Sequence, residues 1–183
     1  LMKVLVKEHP VHCLVFVFLW VLGIASGTVL IGQMSQLLHI DYASQVNAAL
    51  ASGPGFNAFG LITWLAAECL LFLLAAFAGV WLLGFPFPYV AMCLNGLLLG
   101  AGFWAILYLR GLPGFFAALL IAFLPYMPAS ACLLKTSVLS ILAWRERFSA
   151  YCHKQRRVAV DPAYIALVRR QALCYLLLSG LGV

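Results

Sequence analysis

Polar residues punctuate this chain so sparsely that long apolar runs define its organisation. The first run covers residues 11–31 and is preceded by Lys3 and Lys7. Its 21 residues exceed the h-region of a signal peptide, so Ala25-Ser26-Gly27 is read as part of an uncleaved span and not as a cleavage site. A polar stretch then runs to Gly60, with Asp41, Gln45, Asn47 and Asn57 and the breaker Gly53-Pro54-Gly55. It reads as a loop that holds one short interfacial helix over 42–52.

The second run, 61–83, carries a single charge at Glu68 and closes at Gly84-Phe85-Pro86-Phe87-Pro88, whose spacing predicts a tight turn. The third, 87–109, contains Asn95 and ends at Arg110-Gly111-Leu112-Pro113-Gly114. The fourth, 115–143, would be about 43 Å long as a straight helix, more than the roughly 30 Å hydrocarbon layer needs. Leu124-Pro125-Tyr126-Met127-Pro128 interrupts it. Pro125 and Pro128 each remove a backbone donor and crowd the preceding turn, which predicts a kinked or broken helix there.

Residues 145–157 read as a helical extension out of the membrane, with Phe148, Tyr151 and Cys152 among basic residues. Asp161-Pro162 is a helix-start signature, a cap residue followed by a first-turn proline. It opens a fifth run, 165–183, whose last 13 residues, after Arg170, are short for a crossing unless the preceding turns contribute or the natural chain continues; continuation is expected. The expected fold is therefore all-α: a single polytopic membrane domain over residues 1–183, with about five transmembrane helices.

Composition sharpens this reading. Of 183 residues, 66% are hydrophobic and 9% charged, with a mean hydropathy of +1.07. An ordinary soluble domain carries about 25% charged residues. No stretch outside the apolar runs is long enough to bury a core of its own. The net charge of +6 would suggest a nucleic-acid partner in a soluble protein. Here the basic residues flank apolar runs and report orientation instead.

Lys3 and Lys7 precede the first span, seven basic residues (Arg145, Arg147, Lys154, Arg156, Arg157, Arg169 and Arg170) lie between the fourth and fifth, and the first loop has none. Five spans with a cytoplasmic N-terminus satisfy that bias, with Arg110 as the single dissenter. The expected location is a cell membrane, with membrane lipid as the surrounding medium.

Candidate chemistry is scarce. The six cysteines show no CxxC spacing, and five of them fall in different apolar runs, where they act as small packing residues. No metalloprotease, nucleophile-elbow or Walker motif is present, and the four histidines lie away from the span centres. No catalytic, metal or cofactor site is expected, nor an enzyme.

The intramembrane polar residues Glu68, Asn95, Lys135 and Tyr126 stand out, because an ionisable group in a span is by default a functional candidate. Span midpoints put Glu68 and Lys135 about 15 Å apart along the membrane normal, which argues against a direct ion pair. Depth instead matches Glu68 with Tyr126 and Ser26, and Asn95 with Lys135. A buried, protonated, hydrogen-bonded Glu68 is one reading; a proton or substrate pathway beside the broken fourth helix is the other. Gly23-x-x-x-Gly27 and Gly96-x-x-x-Gly100 let helix backbones approach closely, either within the protein or against a partner, including a second copy.

From Leu82 onward the order of features resembles the stage II sporulation protein M family. The residues are Leu82-Leu83-Gly84-Phe85-Pro86, Asn95-Gly96-Leu97-Leu98-Leu99-Gly100-Ala101-Gly102-Phe103, Arg110-Gly111-Leu112-Pro113-Gly114, and Leu124-Pro125 in a long span leading to a basic stretch. The basic N-terminus and glycine-bearing first span fit as well. Tyr126-Met127-Pro128 stands where relatives carry polar residues, and their acidic, aromatic tail is absent. The resemblance implies a non-enzymatic scaffold of the septal membrane that associates with the peptidoglycan-cleaving stage II sporulation proteins D and P during engulfment. The competing class is a small proton-coupled permease or transporter component using Glu68.

Overall fold

The computed structural model describes residues 10–37, 58–77, 79–81, 83–121, 123–153 and 162–180. Among them every regular element is helical: α1 (Pro10–Leu37), α2 (Ala58–Phe77), α3 (Phe87–Ile121), α4 (Phe123–Cys152) and α5 (Pro162–Gly180). Three stretches of the described residues are long and apolar enough to cross a membrane: Pro10–Met34, Phe87–Trp104 and Tyr126–Cys152. The interfacial helix expected over 42–52, and the basic residues Lys154, Arg156 and Arg157, lie outside the described residues.

Glycine decides the largest interface. α1 and α3 pack along each other more extensively than any other pair of helices. A Cβ on Gly23 would fall on the Cys93 carbonyl oxygen and 3.1 Å from the Cα of Gly96; one on Gly96 would fall on the Trp20 carbonyl, and one on Gly100 on that of Ile24. Gly27 meets the Leu97 backbone in the same way. The two small-residue motifs therefore interlock within one molecule. Position rises together on both helices, from Phe16 stacked on Tyr89 to Gly32 against Trp104, so α1 and α3 run parallel.

The other helices complete an alternating arrangement. Tyr126 of α4 meets Glu68 of α2, and Arg147 meets Gly79 and Val80 just beyond α2, so these two helices run in the same direction. Phe85 packs on Trp144, and Asn95 meets Ser130, which makes α3 antiparallel to α4. α5 runs against α2, its Tyr164 reaching Ala76 and its Tyr175 reaching Glu68.

Several boundaries differ from those expected. α2 ends at Phe77, not near residue 83, and the chain turns through Gly84, whose carbonyl accepts from Phe87 N at 3.1 Å. The third run does not stop at Arg110: helix resumes after Gly111 and continues to Ile121. Gly111 has φ 61° and ψ −164°, a backbone state that a side chain strongly disfavours, so the chain redirects there.

α4 then begins at Phe123. The break expected at Pro125/Pro128 is displaced upstream, because Pro125 is the third residue of α4, where its missing N–H is needed by no helical bond. Pro128 lies inside the continuous helix.

Candidate functional site

Glu68 sits in the middle of α2, the helix that faces both α4 and α5. It is 2% exposed. The Tyr126 hydroxyl donates to Oε1 at 2.7 Å and the Tyr175 hydroxyl donates to Oε2, so a phenol from each neighbouring helix occupies one carboxyl oxygen. Tyr175 is itself fully buried and packs its ring against Phe72 at 5.4 Å, one turn below Glu68. If the carboxyl carries a proton, one phenol becomes an acceptor and both contacts persist. Either state therefore leaves Glu68 satisfied.

Asn95, 1% exposed, forms a second polar centre beside the first and neighbours the Tyr126 hydroxyl. Its Oδ1 accepts from Trp20 Nε1 at 2.9 Å and from Ser130 Oγ at 3.2 Å. One side-chain oxygen thus ties α1, α3 and α4 together. Its Nδ2 is buried without a hydrogen-bond partner among the described residues.

Two expected pairs do not form. Ser26 donates to the Gly23 carbonyl of its own helix at 3.0 Å and does not reach Glu68, because α1 packs on α3 and hardly touches α2. Lys135 does not bond Asn95, whose oxygen is taken by Trp20 and Ser130; it lies half-buried on α4, five residues or about 7.5 Å beyond Ser130. Glu68 and Tyr126 do meet.

The sequence reading overlooked the remaining polar contacts. Ser130, Thr136, Ser137 and Ser140 are all buried on α4, and small polar residues recurring at helical spacing in an apolar run are the signal that could have found them. Near the far end of α2, Ser140 and Tyr164 share a hydrogen bond of 2.8 Å, and the Tyr164 hydroxyl also donates to the Ala76 carbonyl at 2.8 Å. Arg147 donates to the carbonyls of Gly79 and Val80, capping the chain as it leaves α2. A Cβ on Gly79 would strike the Tyr164 ring, so any side chain there would have to displace that ring from its present contacts.

Chemically, the arrangement fastens helices. Carboxyl, amide and phenol groups each join two or three helices in the interior, and no group of metal-ligating residues occurs among the described residues. Compared with known proteins, the chain matches no protein-family model, no curated protein and no solved structure.

Proposed function

We propose that this chain is a non-enzymatic membrane scaffold that crosses the bilayer five times. The observation that carries the reading is the sealing of Glu68: a residue that relays protons or substrate needs a path to water, and this one is enclosed by Tyr126 and Tyr175 with almost no exposed surface. The permease reading draws on the same buried carboxyl and on Asn95 Nδ2, which has no hydrogen-bond partner among the described residues, but it requires an opening between α2, α4 and α5 that these contacts close.

Chain geometry supports five crossings. Two aromatic groups, Phe77 with Trp81 and Phe87, and Phe85 with Trp144 and Phe148, lie around the start of α3, while Trp104 stacks on an exposed Tyr108 toward its other end. Phe87 and Tyr108 lie about 31 Å apart along the helix, the span of the hydrocarbon layer between two interfacial belts. From Asn95 the chain climbs about 22 Å to Arg110 and must descend to Ser130, which bonds Asn95. The helical segments 112–121 and 123–130 together supply about 25 Å, so the fourth crossing is a descent in two pieces after the turn at Gly111.

The positive-inside bias then puts Cys152 in the cytoplasm and residues 41–57 outside. With Cys152 kept as the sole cysteine, or moved to Ser52, a membrane-impermeant thiol reagent on intact cells should label position 52 and spare 152. Labelling of Cys152 from outside would overturn the orientation.

The resemblance to the stage II sporulation protein M family gives the scaffold its assignment, in engulfment at a septal membrane with peptidoglycan-cleaving partners. Affinity-tagged protein from sporulating cells should bring down cell-wall hydrolases, including stage II sporulation proteins D and P. Recovery of intact protein without either hydrolase would remove the assignment.

A further inference from the structure

α5 has two unlike faces. Tyr164, Val168, Gln171, Tyr175 and Leu178 turn inward, towards the core and the anchoring contacts on α2 and α4. Ile165, Ala166, Arg169, Arg170, Leu173, Cys174 and Leu177 turn outward and are exposed. Two arginines in an otherwise apolar face need an explanation once their depth is known.

That depth follows from the anchors. Tyr164 bonds Ser140, and Ser140 lies five residues, about 7.5 Å, on the membrane side of Arg145, the first exposed charge at the cytoplasmic end of α4. Arg169 lies a further five residues along α5 in the direction of Tyr175 and Glu68, about another 7.5 Å. The two arginines therefore leave α5 about 15 Å from the cytoplasmic edge, half of a roughly 30 Å layer. Their stems bend partway back toward that edge but start from the middle.

An exposed guanidinium at this depth is costly unless a counter-charge meets it. Among the described residues no carboxylate stands at that level. Of its five acidic residues, Glu68 is enclosed by tyrosines and Glu146 lies beside Arg145; Glu8, Asp41 and Asp161 lie outside the described residues, and Asp161 is two helical turns away in sequence. A second copy would bring two more arginines to the same face and no carboxylate.

We infer that the outward face of α5 is the docking surface for a transmembrane helix of a different protein that carries an aspartate or glutamate near its midpoint. The apolar positions Ile165, Leu173 and Leu177 flank the arginines and supply the packing surface around the paired charges. The inference rests on the scaffold reading for its membrane placement, and it adds to that reading the face used and the chemistry of the partner. Anionic lipid headgroups drawn to the arginines are the competing occupant.

Cys174, exposed one turn beyond Arg170, provides a reporter. The full chain with its other cysteines changed to Ser is placed in phosphatidylcholine vesicles with a synthetic Leu/Ala helix of about 22 residues bearing one central Glu and one Cys a turn away. Oxidative cross-linking to Cys174 should be about tenfold more efficient than with a Gln-bearing helix, and Arg169→Leu with Arg170→Leu should erase the difference. Equal cross-linking of the Glu and Gln helices would overturn the proposal. So would loss of the preference when phosphatidylglycerol makes up part of the vesicle, since the arginines would then be held by lipid. In the same vesicles, reaction of Cys174 with an impermeant thiol reagent would instead overturn the membrane placement of α5, which separates failure of the scaffold reading from failure of the docking claim.

Discussion

Gly96→Leu and Gly100→Leu are each expected to abolish accumulation of folded protein, while Leu98→Ala and Gly102→Leu leave it near the wild-type level. A Cβ at Gly96 or Gly100 would lie on a backbone carbonyl of α1, and a backbone cannot rotate aside as a side-chain tip can. Relief requires α1 and α3 to separate, which also pulls Trp20 Nε1 off Asn95 and leaves that oxygen with fewer donors. Overpacking of a well-filled interior costs about 1–3 kcal/mol, and a forced separation of two helices costs more. Leu98 is 47% exposed, and a Cβ on Gly102 meets nothing within 4 Å, so both serve as controls on the same helix. Thermal aggregation of detergent-solubilised protein gives the ranking. Comparable melting of all four variants would remove the interlocked-glycine account.

The second large effect concerns the carboxyl. Tyr126→Phe combined with Tyr175→Phe removes both hydroxyls from Glu68 while keeping the rings, so the packing of Tyr175 on Phe72 persists and the carboxyl is left buried without donors. The expected loss is about 3 kcal/mol or more for the pair. Adding Glu68→Leu in that background should restore most of it, because an apolar residue in a sealed apolar site needs no partner. Each single Tyr→Phe should cost less than half as much, since one donor remains. A double variant as stable as the parent would mean that Glu68 reaches water by another route, against the enclosure described above.

How much of this was legible in the sequence follows from the range of the forces involved. The apolar runs around Val17, Leu73, Leu98 and Val138 disclose helices because bilayer thickness and backbone hydrogen bonding act locally and leave a length signature. The glycine pairs disclose close packing, but whether Gly23 meets Gly96 or a partner depends on which helices are neighbours. The pairing of Glu68 with Tyr126 could be read from depth alone, as both fall at one level.

Ser26 at the same level failed, because depth fixes height in the bundle and says nothing of which helix is adjacent; α1 had gone to α3. Tyr175 was overlooked for a related reason. The level of Tyr175 depends on where α5 is anchored, and that anchor, Tyr164 on Ala76, is a contact between helices that no local pattern discloses; three turns on, Tyr175 meets Glu68. The proline break was placed by local rule at Pro125 and Pro128, yet Pro125 falls in the first turn of α4, where a proline costs a helix nothing, Pro128 is accommodated inside that helix, and the backbone leaves helical geometry at Gly111, which takes a positive φ.

The central claim is that Glu68 fastens the interior and conducts nothing. Its most direct test is proton flux into vesicles reconstituted with the purified protein, driven by an imposed pH gradient and membrane potential and read with an internal pH dye, for the parent and for Glu68→Gln. The amide can accept from one tyrosine and donate to the other, so the variant should fold normally. The account predicts that both proteins leak no faster than protein-free vesicles. Flux through the parent that Glu68→Gln abolishes, with equal protein incorporated, would contradict it and make Glu68 a proton-carrying group.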